Sequence, residues 1–237
     1  MPTGRVTALR RWPVKSMAGE RVQALALDGF GATGDRTHAV FDEFKGAPRR
    51  VNAELLPRLL AWAASYPDAG PVDREAPPQP VLTAPDGAAL RWDDPELAQA
   101  LAADLGRPVT LAREPRGQQD RPTTVHVTVE ASLRALGEAL GAPVDVRRFR
   151  SNIHLELDAE PWAELEWCGR RLRVGDAELE LVEGCERCAI PTRDPQTQAK
   201  WPQLLRLLAA ERAATFGLIA RAVGPAVVRD GDRAVLL

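Results

Sequence analysis

The sequence is short of the residues that build several familiar kinds of protein. Three cysteines in 237 residues are too few, and odd in number, for a secreted disulfide framework, so a reducing cytoplasmic setting is expected. Long apolar runs are missing: none approaches the roughly eighteen residues of a membrane span, and Met1-Pro-Thr-Gly-Arg5 lacks the charged-then-apolar order of a signal peptide. A soluble chain with no membrane partner is therefore expected. An excess of one charge is missing too. With 31 Lys and Arg against 33 Asp and Glu, little is left over to neutralise phosphates along a polymer, and no nucleic-acid partner is expected.

What remains is long enough to bury about 70% of its unfolded surface, as one large domain or two modest ones. Its arginines, set among abundant Ala, Pro and Leu, carry weight only inside a specific frame. Short β-compatible runs at Val6–Pro13, Val22–Leu27 and Thr37–Glu43 lie between Gly-containing turns. Leucines at helical spacing predict a helix over Ala53–Ser65, opening near Pro57. Asp86-Gly87 marks a hairpin, and Asp93-Asp94-Pro95 caps a helix reaching about Leu105. Val109–Arg113 reads as a strand, Glu114–Thr123 as a polar loop, and Val125–Val129 as an alternating strand holding a half-buried His126. Glu130–Leu140 is an amphipathic helix stopped by Gly141, with Ser132 in the first turn where a hydroxyl can meet a phosphate. Ile153–Leu157, Arg171–Val174 and Glu178–Glu183 are further strands, Gln203–Arg212 a helix, and Phe216–Val223, Ala226–Val228 and Ala234–Leu237 the closing strands. Cys168, near the aromatic turn Trp162–Cys168, is read as packed. The fold class expected is mainly β, with two β-barrel-like lobes and peripheral helices.

Cys185 and Cys188 stand where a strand ends, so their thiols can enter a cleft. A thiolate is a soft ligand and a nucleophile, and Arg187 and Arg193 beside it are expected to favour the ionised form. A thioredoxin-type dithiol would need the pair at a helix N-terminus, whereas Cys188 runs into Ala-Ile-Pro. Structural zinc wants four ligands, usually in paired sets, and no second close-spaced pair joins Cys168, His38, His126 and His154. Two packed cysteines acting as small hydrophobes are a further alternative. Upstream, Arg147-Arg-Phe-Arg-Ser-Asn152 leads into a strand and offers a dense set of donors for an anion.

Pro13-Val-Lys-Ser16, Gly34-Asp-Arg36, Glu130-Ala-Ser-Leu133, Arg148-Phe-Arg-Ser-Asn152, Cys185-Glu-Arg-Cys188 and Thr192-Arg-Asp-Pro195 follow one another in the order seen in MOSC-domain proteins. The chain resembles that family from about Val6 to Leu237, and within it the mitochondrial amidoxime-reducing component and its bacterial counterparts. The resemblance implies an N-terminal MOSC-type β-barrel region over residues 1–92 and a MOSC domain over 93–237. It implies the molybdenum cofactor, with Cys188 as the thiolate on molybdenum and Lys15, Ser16, Arg36, Arg150 and Asn152 holding the molybdopterin and its phosphate. Ser132 and Arg187 are further candidates for the cofactor, and Asp194 for positioning a proton near the metal. The activity implied is reduction of N-hydroxylated small molecules by a monomer that takes electrons from a separate donor protein, since no ferredoxin-like cysteine set follows the domain.

Three departures bear on this expectation. Phe216-Gly-Leu-Ile219 lacks the family's aromatic or amide residue, Gln196-Thr-Gln-Ala199 replaces a Thr-Gly turn, and Arg150-Ser-Asn152 replaces Arg-Pro-Asn. Two alternatives stay open. One is a non-catalytic cofactor or sulfur carrier with a persulfide on Cys185 or Cys188, in which the pyridoxal-phosphate domain that generates sulfur is absent. The other is a metal-free pocket for another small molecule.

Overall fold

The structure, a computed structural model, describes residues 1–114 and 124–237. The polar loop expected at Glu114–Thr123 lies, apart from its first residue, outside the described residues. The first half of the chain forms strands β1 (Thr3–Arg11), β2 (Glu20–Val22), β3 (Ala24–Asp28), β4 (Gly31–Ala32), β5 (His38–Phe44), β6 (Ala47–Arg50), β7 (Ala63–Ser65), β8 (Val81–Thr83) and β9 (Ala89–Arg91). Helix α1 (Leu97–Leu105), β10 (Thr110–Arg113), β11 (Val125–Val129), α2 (Glu130–Leu140) and β12 (Ile153–Leu157) follow. The chain ends with β13 (Arg171–Val174), β14 (Ala177–Glu186), α3 (Pro202–Arg212), β15 (Thr215–Ala222), β16 (Ala226–Arg229) and β17 (Arg233–Leu236).

Seven strands close into a barrel in the order β12-β11-β15-β14-β13-β17-β1, with β1 pairing back onto β12. Alternation builds its wall: on β13 and β14, Leu172, Val174, Ala177, Leu179 and Leu181 turn inward while Arg171, Arg173 and Glu180 face solvent. β11 and β12 pair in parallel, a geometry that needs a crossover, and α2 supplies it. Gly141 ends that helix in a left-handed conformation, with φ 70°, at the residue the sequence predicts.

A second apolar cluster, including Leu59, Trp62, Leu82, Leu97 and Leu101, forms the core of the other lobe under the small sheets β10-β5-β6 and β7-β8-β9. The lobes interlock. β1 and β2 belong to the barrel sheet, and β3 pairs with β4 on one side and with the late strand β16 on the other, so residues on both sides of position 92 share sheets.

Two local expectations are corrected. The leucine stripe at Ala53–Ser65 folds as a short 3-10 turn, Pro57–Ala61, followed by β7. The Asn52 side chain accepts the Glu54 and Leu55 amides and commits the backbone to a turn there, and the residues after Trp62 are recruited to pair with β8. Cys168, read as packed, is exposed, because Glu164 and Trp167 take the buried positions of its turn. No helix among the described residues is long and apolar enough to cross a membrane.

Candidate active site

One cleft, with a cavity volume of about 240 Å³, gathers side chains from segments far apart in sequence. Lys15 and Ser16 follow β1, Arg36 precedes β5, Arg150 and Asn152 lead into β12, and Cys185, Arg187 and Cys188 come from the end of β14 and the loop beyond it. Seven of the sequence-predicted residues thus meet: Lys15, Ser16, Arg36, Arg150, Asn152, Arg187 and Cys188.

Three of them hold a costly backbone. Ser16, Arg36 and Arg150 have φ of 69°, 48° and 57°, left-handed values that disfavour any residue with a Cβ, at about 1–3 kcal/mol each. Surrounding bonds hold them there. The Arg36 amide donates to Trp12 O at 2.7 Å, its side chain pairs with Asp35, and its Nη2 donates to Arg150 O at 3.1 Å. Arg150 Nη1 donates to Met17 O at 2.6 Å, and its guanidinium lies 4.3 Å from the Trp12 ring centroid. Ser16 Oγ accepts the Ala53 amide, which leaves its hydroxyl proton to donate.

Every carbonyl of the turn 149–152 is engaged. Arg187 Nη2, Arg36 Nη2, Trp12 Nε1 and the Arg10 amide donate in turn to Phe149, Arg150, Ser151 and Asn152. Asn152 is buried, and its amide ties β11 to β1: Oδ1 accepts the His126 N–H and Nδ2 donates to Arg10 O. It shapes the wall.

The two cysteines differ. Cys185 is buried, and Arg187 Nη1 donates to its sulfur at 2.8 Å. Cys188 is exposed at the cleft, where the protein packed around its thiol, followed by the Glu54 carboxylate, pushes its pKa up against the opposing Ile190 amide and Arg187 charge. The Arg187 charge favours the thiolate as expected without outweighing burial, and the hydrogen bonds of both arginines go elsewhere: Arg187 to Cys185 and Phe149 O, and Arg193 to Gln198 O.

Ser132 and Asp194 do not join the cleft. Ser132 is fully buried on α2, donating to Glu164 Oε2 at 2.7 Å and accepting the Trp162 amide at 2.7 Å, so no hydroxyl is left for a phosphate. Asp194 caps its own loop, accepting the Gln196 and Thr197 amides, and pairs with Arg148 Nη2 at 2.9 Å. The Thr197 bond leads the effects that hold its pKa below the ordinary carboxylate range, which removes it as a proton donor.

Sequence reasoning passed over Thr124 and Glu54 and read His126 only as a half-buried strand histidine; Ile219, singled out as a departure, lines the cleft. His126 lines the cleft and donates to or accepts from its surroundings as a neutral ring, because burial, with the Arg187 charge adding, depresses its pKa well below the usual value. All five residues of β11 are buried, so alternation could not single it out. Glu54 reaches the cysteine loop across 135 positions, its Oε1 accepting the Ala189 amide.

Residues 114–235 match the family model of the MOSC domain, and residues 3–97 match that of the MOSC N-terminal beta barrel domain. The chain belongs to the MOSC domain family. It is thereby a molybdenum-cofactor-related domain. This MOSC chain is 37% identical over 73 residues to mitochondrial amidoxime-reducing component 1 of Danio rerio, covering 31% of the chain and 22% of that protein. It is 40% identical over 68 residues to the protein of the same name from Homo sapiens, covering 29% and 19%. The matches thus span about a fifth of the length of these relatives. Among solved structures it is similar to YiiM from Geobacillus stearothermophilus, with a TM-score of 0.38, 18% identity and coverage of 48% and 53% of the two chains. It is also similar to the YUAD protein from Bacillus subtilis, with a TM-score of 0.48, 10% identity and coverage of 100% and 97%.

Proposed function

We propose that this MOSC protein is an oxidoreductase that binds the molybdenum cofactor in the cleft and reduces N-hydroxylated small molecules, taking electrons from a separate donor protein. The observation that carries the reading is the convergence of one exposed thiol, Cys188, with Lys15, Ser16, Arg36 and Arg150 on a single cavity. The donor set suits the group: among the described residues no cluster of three or more His, Cys, Asp and Glu gathers for a metal, so the chain offers a metal one sulfur and offers an anion several cations. That division of donors matches a metal already chelated by an anionic organic ligand. The strained turns at Ser16, Arg36 and Arg150 fit the same use, since such conformations collect where a ligand is clamped.

Cys188 would give the metal its sulfur, losing the thiol proton on coordination. Arg36 and Arg150 would bring guanidinium charge to a phosphate, Lys15 a mobile point charge, and Ser16 a hydroxyl proton. Arg187 holds Cys185 and the 149–152 turn still, so Cys185 is a neighbour of the ligating sulfur. Neutral His126 and apolar Ile219 close the wall and limit water. When bound, the cofactor supplies two-electron redox chemistry at the metal.

Molybdenum measured by mass spectrometry on protein from a cofactor-producing host tests the reading. Near-stoichiometric metal is expected, falling at least tenfold in Cys188→Ser, with weaker cofactor retention in Arg150→Ala. Traces unchanged by Cys188→Ser would defeat it. The exposure of Cys188 also suits a second reading, a carrier of cofactor or sulfur. Turnover of benzamidoxime with an artificial donor separates the two, because a carrier binds without turnover.

A further inference from the structure

Arg150 and Ile190 line a second cavity, of about 70 Å³, which the proposed cofactor chemistry does not use. Five guanidinium groups border it, those of Arg10, Arg147, Arg148, Arg150 and Arg193. Two carboxylates answer them: Asp194 on the wall, paired with Arg148, and Asp145 behind, paired with Arg147 at 2.5 Å. The cavity is thus strongly cationic.

Its donors are also incompletely used. The Nε atoms of Arg10 and Arg148 are buried and have no hydrogen-bond partner among the described residues. The Arg148 side chain is 8% exposed, so this is a desolvated guanidinium with a donor to spare. Among the described residues the Arg10 side chain makes no hydrogen bond at all, and the neighbouring Arg147 charge repels it. Burial, the first cause for both, pushes the pKa of Arg10 and of Arg148 down, and the nearby Asp145, with Asp194 for Arg148, only partly opposes it. Leaving a buried donor unpaired costs about 1–3 kcal/mol, and an oxyanion in the cavity would cancel the repulsion between these guanidinium groups.

We propose that this second cavity is an oxyanion site that takes a single phosphate group, free or at the end of a phosphomonoester, on Arg10, Arg148 and Arg193. The volume is about twice the ~30 Å³ share of one liquid water, room for one tetrahedral oxyanion, so the rest of an ester would project outward. Asp194 supplies the resting counter-charge for Arg148. The site is separate from the cofactor cleft and shares Arg150 with it, standing whether or not the cleft takes molybdenum.

Calorimetric titration of the full chain with inorganic phosphate, and in parallel with methyl phosphate, tests the assignment. Binding is expected to weaken about tenfold or more in Arg10→Gln/Arg193→Gln and to stay within about twofold in Lys15→Gln, which removes a cation from the cofactor cleft instead. Tighter binding of methyl phosphate than of inorganic phosphate assigns the site to an ester, and the reverse to the free ion. No binding by the wild type overturns the proposal, as does a loss in the Lys15→Gln variant equal to or larger than that in the Arg10/Arg193 variant. Should the double variant fail to fold, Arg193→Gln alone, on the loop between Cys188 and Pro195, carries the same comparison. Molybdenum content of the same preparations reports separately on the cleft.

Discussion

Ser132 stands in the first turn of α2, yet its hydroxyl serves the fold. It is the hydrogen-bond partner of Glu164 Oε2, on a carboxyl that burial pushes above the ordinary range and whose other oxygen is buried without a partner among the described residues. A carboxyl so raised holds its proton to higher pH in the fold than in the unfolded chain; its stabilising effect is complete below the unfolded pKa and is lost as pH climbs through the folded value. The Ser132 bond favours the ionised form, so removing it lifts the folded value further and widens that loss. Ser132→Ala is therefore expected to cost about 1–3 kcal/mol in chemical denaturation, more at about pH 8 than at about pH 4, with cofactor content unchanged. A stable variant that lost its cofactor would return Ser132 to the binding site. Residue type alone could not make this distinction: Ser16 and Ser132 are equivalent hydroxyls in sequence, and only the partner across the chain, Ala53 for one and Glu164 for the other, tells them apart.

At the scale of the element, β15 shows how a departure from a family pattern gains meaning. Phe216-Gly-Leu-Ile219 delivers Ile219 to the cleft wall, so an apolar surface stands where relatives are expected to present an amide or aromatic group. Gly217 makes the approach possible. Its φ is 72°, and a Cβ there would lie 2.5 Å from Val127 O and 2.8 Å from His126 Nε2. Gly217→Ala is expected to destabilise by about 2–4 kcal/mol, through left-handed strain and displacement of β11, with cofactor retention falling as His126 moves. Equal denaturation midpoints for variant and wild type would show that the strand adjusts freely. Regular elements were readable where a local signal was strong: α2 begins and ends as its leucine spacing and Gly141 predict. The Ala53–Ser65 stripe was misread because pairing with β8 outweighed a helical pattern already broken by Pro57.

Across the whole molecule, β1 is the strand that closes the barrel. It pairs with β12 on one side and with β17 on the other, and Val6 and Leu9 enter the barrel core. A boundary near residue 92 is thus a division of sequence motifs that the sheets cross. Residues 93–237 expressed alone would leave β12 and β17 with open edges and lose those core side chains, so they are expected to lack a cooperative unfolding transition. Adding residues 1–22 as a separate peptide should restore it. A sharp transition from 93–237 alone would make the later segment an independent domain.

Local pattern and donor chemistry determined much from the sequence alone: a mainly β chain, the span of α2, and a short inventory of thiols and cations suited to a metal and an anion; the ordered motifs added a resemblance to the family. Only the tertiary structure decided which of those equivalent groups meet. Arg148 and Arg150 are two positions apart, yet Arg150 faces the cleft and the second cavity, whereas Arg148 borders the second cavity with Asp194. A left-handed turn at Arg150, held by Met17 and Arg36 from more than a hundred residues away, re-aims the chain between them. Sequence periodicity records which way a side chain points along its own strand; the wall it joins depends on how the barrel closes, and that is set by contacts between distant segments.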